Sequence, residues 1–150
     1  MNTIIKFINK LLATGFFIGK IPGAPGTYGS ILAVVLILLF PFVNNIYFII
    51  PFIVIATGIS YFEESVTGIK DAPEIVIDEI AGIFVTFAFM NINFKILLLG
   101  FLLFRIFDIF KPLIIDKVQN LPYGIGIMAD DILAGFVSWV VINLVYTIFT

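Results

Sequence analysis

From residue 31 to residue 149 the chain is a succession of apolar runs, broken only by short polar or glycine- and proline-containing segments. That alternation constrains the fold more than any other feature. Backbone N–H and C=O groups placed in lipid must be satisfied within the protein, and helices meet that demand. With 61% hydrophobic residues, 12% charged residues and a mean hydropathy of +1.20, the 150-residue chain reads as one membrane-embedded domain. It contains no cysteine and no histidine, so disulfides, thiolate nucleophiles, imidazole bases and the usual zinc ligands are all excluded. Catalysis would have to use carboxylates, Lys, Arg, hydroxyls or a metal held by oxygen. A net charge of −2 with no long basic run gives no footprint for nucleic acid.

Residues 3–18 place Ile4, Ile5, Ile8, Leu11, Leu12 and Phe16 at helical spacing, with Lys6, Asn9 and Lys10 on much of the remaining surface. This is either a basic amphipathic helix lying in the interface of an anionic leaflet or a half-buried helix packed on the bundle. No small-residue cleavage site follows it, so the segment is expected to be retained. Residues 19–30, GKIPGAPGTYGS, hold too much glycine and proline for regular helix. Thr27 and Ser30 are candidate caps for a first span over 28–44. A glycine-rich loop entering a helix can also hold phosphate through its N–H groups, with Lys20 nearby; a plain linker is the other reading.

Further spans are expected over 46–62, closed by Glu63 and Glu64; from the Asp78–Glu79 pair to Met90; over 94–110; and over 132–149. The expected architecture is therefore all-α: a polytopic membrane bundle of about five spanning helices plus the N-terminal interfacial helix. Placing the N-terminus in the cytoplasm puts Lys6, Lys10, Lys20, Lys70, Lys111 and Lys117 inside and leaves Lys95 outside. The acidic residues, which the charge rule does not use, fall on the same inner side. A bacterial-type inner membrane with a cytoplasmic site follows as the expected location.

Arg105, Asp108 and Lys111 recur every third residue along an otherwise apolar helix. Ionisable groups at such depth mark function. Asp78-Glu79-Ile80-Ala81-Gly82 and the segment 130–135, Asp-Asp-Ile-Leu-Ala-Gly, look alike: an acidic pair, then Ala-Gly, then an apolar run. Small residues at those points would let two helix backbones approach and join the pairs. The expected divalent-cation site consists of Glu79, Asp108, Asp130 and Asp131, with Asp78 as a further ligand or a support. Oxygen ligands alone favour Mg²⁺, admit Mn²⁺ and disfavour Zn²⁺. The alternative is that both pairs merely cap helices and complement their dipoles. Arg105 suits bidentate phosphate binding, and Lys20, Lys70 and Lys111 suit point-charge contacts, although an Arg105–Asp108 salt bridge is the simpler reading. Metal and cations at a membrane surface imply a phosphorylated lipid headgroup as substrate, with the anionic bilayer as partner. Oligomeric state is not legible.

Three blocks, 19–30, 70–82 (KDAPEIVIDEIAG) and 104–135 with FRIFDIFKP and GIMADDILAG, carry a resemblance to phosphatidylglycerophosphatase A. Ile114 and Tyr123 depart from the family pattern, and both bear on loop shape rather than chemistry. The resemblance implies an all-helical fold and Mg²⁺-dependent removal of the terminal phosphate of phosphatidylglycerophosphate. It also implies a functional polar set of Asp71, Asp78, Glu79, Arg105, Asp108, Lys111, Asp130 and Asp131. The expected catalytic residues are Asp78, Asp108, Arg105 and Lys111; the expected phosphate contacts are Lys20, Thr27, Lys70, Asp71, Arg105 and Lys111. Water assisted by Asp108 or Asp78 is the expected nucleophile, with an aspartyl-phosphate route left open. Two competing classes are a small ion or metal transporter using the same acids, and a lipid-phosphate transferase, whose Asp-Gly…Ala-Arg motif the chain lacks.

Overall fold

The computed structural model describes residues 3–112, 114–118, 121 and 125–149. Their regular structure is all helical, with no strand among them. In order they form α1 Thr3–Ala13, α2 Pro25–Leu39, α3 Ile46–Thr67, α4 Ile77–Thr86, α5 Phe94–Phe110, the short α6 Ile114–Val118 and α7 Ile125–Phe149. Tight 3-10 turns at Ile18–Lys20 and Pro41–Asn44 lead into α2 and α3. Tyr123 lies outside the described residues.

Local chemistry explains most helix ends and corrects several expectations. Neither Thr27 nor Ser30 caps α2, which already starts at Pro25. Proline at the first helical position brings a preset φ and lacks the N–H that would otherwise be orphaned. α2 stops at Leu39, before residue 44, because Pro41 disfavours helical backbone at Phe40. Asn45 Oδ1 accepts the Tyr47 N–H at 2.9 Å and opens α3. α3 runs through Glu63 and Glu64 to Thr67, where Gly68 at φ 70° closes it. α5 matches its expected bounds: Asn93 Oδ1 accepts the Ile96 N–H at 3.0 Å, and Lys111 in the left-handed region precedes Pro112. α7 begins at Ile125 rather than 132, which puts Asp130 and Asp131 in its second turn.

Among the described residues two helices, α3 and α7, qualify by length and composition to cross a membrane, against the five expected. α2 has 15 residues and α5 has 17. α4, with 10, rises about 15 Å. It ends at Thr86 rather than Met90, and the irregular stretch beyond is satisfied by side chains: Trp139 Nε1 donates to the Ala88 carbonyl at 2.8 Å and Asn44 Nδ2 to that of Met90 at 3.2 Å. Such backbone is tolerated at membrane depth only where protein shields it.

Apolar surface faces outward. Leu98, Leu102, Ile106 and Ile109 form an exposed stripe along α5, and α1 exposes Ile4, Ile5, Phe7 and Ile8 while its Asn9 donates to Glu63 on α3 at 2.9 Å. A soluble protein would bury these faces; this one is a membrane protein. α4 is the hub, packed against α2, α3, α5 and α7. Around it Phe84, Phe87 and Phe104 are fully buried, and the Phe52 and Phe84 rings meet edge to face at 5.1 Å.

Candidate active site

α4 and α7 touch backbone to backbone through two glycines. A Cβ on Gly135 would strike the Gly82 carbonyl oxygen, and one on Gly82 would stand 2.7 Å from the Asp131 carbonyl oxygen. Only glycine permits that approach. Its consequence is that Asp131 joins Asp78 and Glu79, with one carboxylate oxygen from each within 4.8 Å of the others. Asp78 and Asp131 are 4% exposed. Their neighbour Asp108 adds a further carboxylate beside Glu79 and Asp131. So many carboxylates out of water repel strongly unless protons or a cation intervene, which makes the trio a set of hard donors able to hold a metal ion.

Cations stand on two sides. Arg105 Nη1 pairs with Asp108 Oδ2 at 2.5 Å and reaches the Ser30 hydroxyl at 3.4 Å. Lys111 Nζ pairs with Asp130 Oδ2 at 2.6 Å, and Asp130, although it adjoins Asp131 in sequence and lies near Asp78, is not a member of the trio. Burial works against the Lys111 charge, but the hydrogen bond to Asp130 and the surrounding carboxylates outweigh it and raise its pKa above the ordinary lysine value. Asp71 sits near Asp78, Asp130 and Lys111 with φ 52°.

Among the described residues three buried side-chain atoms have no hydrogen-bond partner: Ser60 Oγ on α3, and Glu79 Oε2 and Arg105 Nε at this site. Glu79 and Arg105 border Gly26 in the first turn of α2, where a Cβ would collide with Glu79 Oε1 and lie 3.2 Å from Arg105 Nη1. Thr27, next in that turn, is half-buried. Lys20 lies over the Phe17 ring at 5.0 Å and Lys70 is exposed; among the described residues neither forms an ion pair with the cluster. Glu74 pairs instead with Lys10, at 3.0 Å.

Sequence reasoning missed Gly26 and Ser30 as neighbours of the site. A glycine where a helix begins, with no turn demanding it, was the available signal for close approach.

An acidic trio with a guanidinium and an ammonium nearby, inside a helical membrane protein, is a polar site of the kind that could hold a metal ion beside an anionic group. Residues 11–146 match the family described as phosphatidylglycerophosphatase A, and the chain belongs to that family. It is 36% identical to the phosphatidylglycerophosphatase A of Haemophilus influenzae, over 88% of this chain and 85% of the relative. The phosphatidylglycerophosphatase A of Escherichia coli is 35% identical over 85% and 77%. A protein of Bacteroides thetaiotaomicron provisionally named phosphatidylinositol-3-phosphatase is 35% identical over 91% and 92%. The protein is thus an enzyme, a phosphatase. No solved structure matches it.

Proposed function

We propose that this enzyme hydrolyses the terminal phosphate of phosphatidylglycerophosphate, giving phosphatidylglycerol, with Mg²⁺ and at the cytoplasmic face of a bacterial-type inner membrane. The observation that carries this reading is that an acidic and a basic side chain meeting at Gly26 each keep a buried polar atom unpaired: Glu79 Oε2 has no donor or cation, and Arg105 Nε has no acceptor. The family and its two phosphatidylglycerophosphatase relatives support the substrate.

Asp78, Glu79 and Asp131 would hold Mg²⁺, which suits an all-oxygen donor set in a chain without His or Cys. Once bound, the ion lends Lewis acidity to a phosphoryl oxygen and to water. Arg105 takes the equatorial phosphate oxygens through Nε and its amino groups, which displaces Asp108 from it. Asp108, so released, accepts the proton of the attacking water as the bond from phosphorus to the lipid oxygen breaks, and returns that proton to the leaving oxygen. Lys111, shared with Asp130, balances charge on the far side. Lys20, Thr27, Lys70 and Asp71 remain proposed contacts to the headgroup.

For topology, α2, α3, α5 and α7 cross, and α4 together with the segment up to residue 93 makes the other crossing. The turns after α4 carry the chain to the far end of α2, where the Phe89 N–H donates to the Asn44 carbonyl at 3.2 Å, which supports that crossing. α1 lies in the cytoplasmic interface. A transporter is not favoured, because the acids gather at one end of the bundle: the start of α4, the second turn of α7 and the last turn of α5.

The test is phosphate release in mixed micelles from phosphatidylglycerophosphate and, separately, from phosphatidylinositol 3-phosphate. Turnover of the first that needs Mg²⁺ and stops in EDTA is the expected result. No release from it by folded, Mg²⁺-supplemented wild type would overturn the substrate, and preference for the second would replace it.

A further inference from the structure

We propose that Ser30 is a positioning residue for Arg105, fixing the guanidinium from α2 so that Nε is presented to the phosphate; the inference rests on the phosphatase reading above. Ser30 is fully buried. Its hydroxyl donates to the Gly26 carbonyl at 2.8 Å, which orients the remaining lone pairs, and it accepts from Arg105 Nη1 at 3.4 Å. Asp108 holds the same nitrogen from within α5. The guanidinium is thereby held from two helices and left with one fully buried, unpaired donor, Nε. A buried arginine N–H without an acceptor is costly, so a site that keeps one is arranged for an acceptor that arrives.

Asp108 alone cannot supply this restraint during turnover, because phosphate competes for the same guanidinium and Asp108 must come free to take a proton. Ser30 is neutral and does not compete, so it keeps the guanidinium in place while Asp108 leaves. Gly26 belongs to the same device: it carries the carbonyl that orients Ser30, and its missing side chain leaves the space that Arg105 Nη1 and Glu79 Oε1 occupy.

The experiment is a double-mutant cycle of Ser30→Ala and Arg105→Lys, read as KM and kcat for the lipid phosphate, with the thermal transition in detergent as the check on folding. Ser30→Ala is expected to cost about fivefold to tenfold in kcat/KM in the wild-type background, mostly through KM, and nothing further beside Arg105→Lys, which has no Nε donor of that geometry. Equal losses in both backgrounds, or no loss in either, would overturn the proposal. Gly26→Ala provides the second variant. Alanine suits a helix at least as well as glycine, so its expected signature is lost activity at unchanged or raised thermal stability, and retained activity counts against the device. If wild type turns over no phosphatidylglycerophosphate, the substrate assignment fails by itself. The same cycle is then read on binding of inorganic phosphate, where a Ser30 effect confined to the Arg105 background supports the proposal and an equal effect in both overturns it.

Discussion

Two acidic pairs that look interchangeable in the sequence end in different surroundings. Asp78 and Glu79 occupy the first turn of α4, and both contribute to the carboxylate trio. Asp130 and Asp131 lie in the second turn of α7, where adjacent residues point about 100° apart, so Asp131 enters the trio and Asp130 is taken by Lys111. A repeated motif therefore reports shared local chemistry and not shared roles. Helix phase relative to the Gly82–Gly135 contact decides which oxygen goes where.

The sharpest way to break this comparison is to neutralise each member of the α7 pair. Asp131→Asn should lower kcat on the order of a thousandfold and lose its response to added Mg²⁺, whereas Asp130→Asn should cost roughly ten- to a hundredfold with the Mg²⁺ response kept. Equal losses measured as phosphate release would erase the distinction between the two aspartates. Next in size is Gly135→Ala, whose Cβ meets backbone that cannot rotate away. It should destabilise the protein by about 1–3 kcal/mol and reduce activity beyond that loss, because α4 and α7 separate. A thermal scan in detergent beside an assay on the folded fraction checks both.

A stability effect of similar size, with less expected of activity, concerns the Lys111–Asp130 pair. Lys111→Met leaves a buried carboxylate without its partner and should cost about 1–3 kcal/mol, more than Asp130→Asn, which leaves a lysine able to reach water. Because the folded pKa of Lys111 is raised, its contribution is fully present below the unfolded lysine value, about 10.4, and is lost as pH rises through the folded value. The stability gap between wild type and Lys111→Met should stay flat from about pH 7 to 9 and close only in stronger alkali. A gap that closes near neutrality would mean that the pair is not the source.

Much of this was legible beforehand. The bounds of α5 follow from Asn93 and Pro112, which act within a few residues of themselves. Small residues after each acidic pair announced the α4–α7 contact, and an oxygen-only donor set followed from the missing His and Cys. The start of α7 was not legible, since the apolar Ile125 to Met128 turn reads equally as loop or helix until it packs. Nor was the role of Ser30. A hydroxyl near a helix start reads as a cap, and only the fold brings it to Arg105, 75 residues away in the chain.

By itself the sequence determined the solvent this chain lives in, the helical architecture that solvent demands, and the inventory of groups available for phosphate chemistry. Those are properties of residue types and short spacings. Which carboxylates meet, which one is diverted to Lys111 and which hydroxyl steadies Arg105 were decided only by tertiary structure. These depend on the phase of α7 and on backbone contacts at Gly82, Gly135 and Gly26, between helices far apart in sequence.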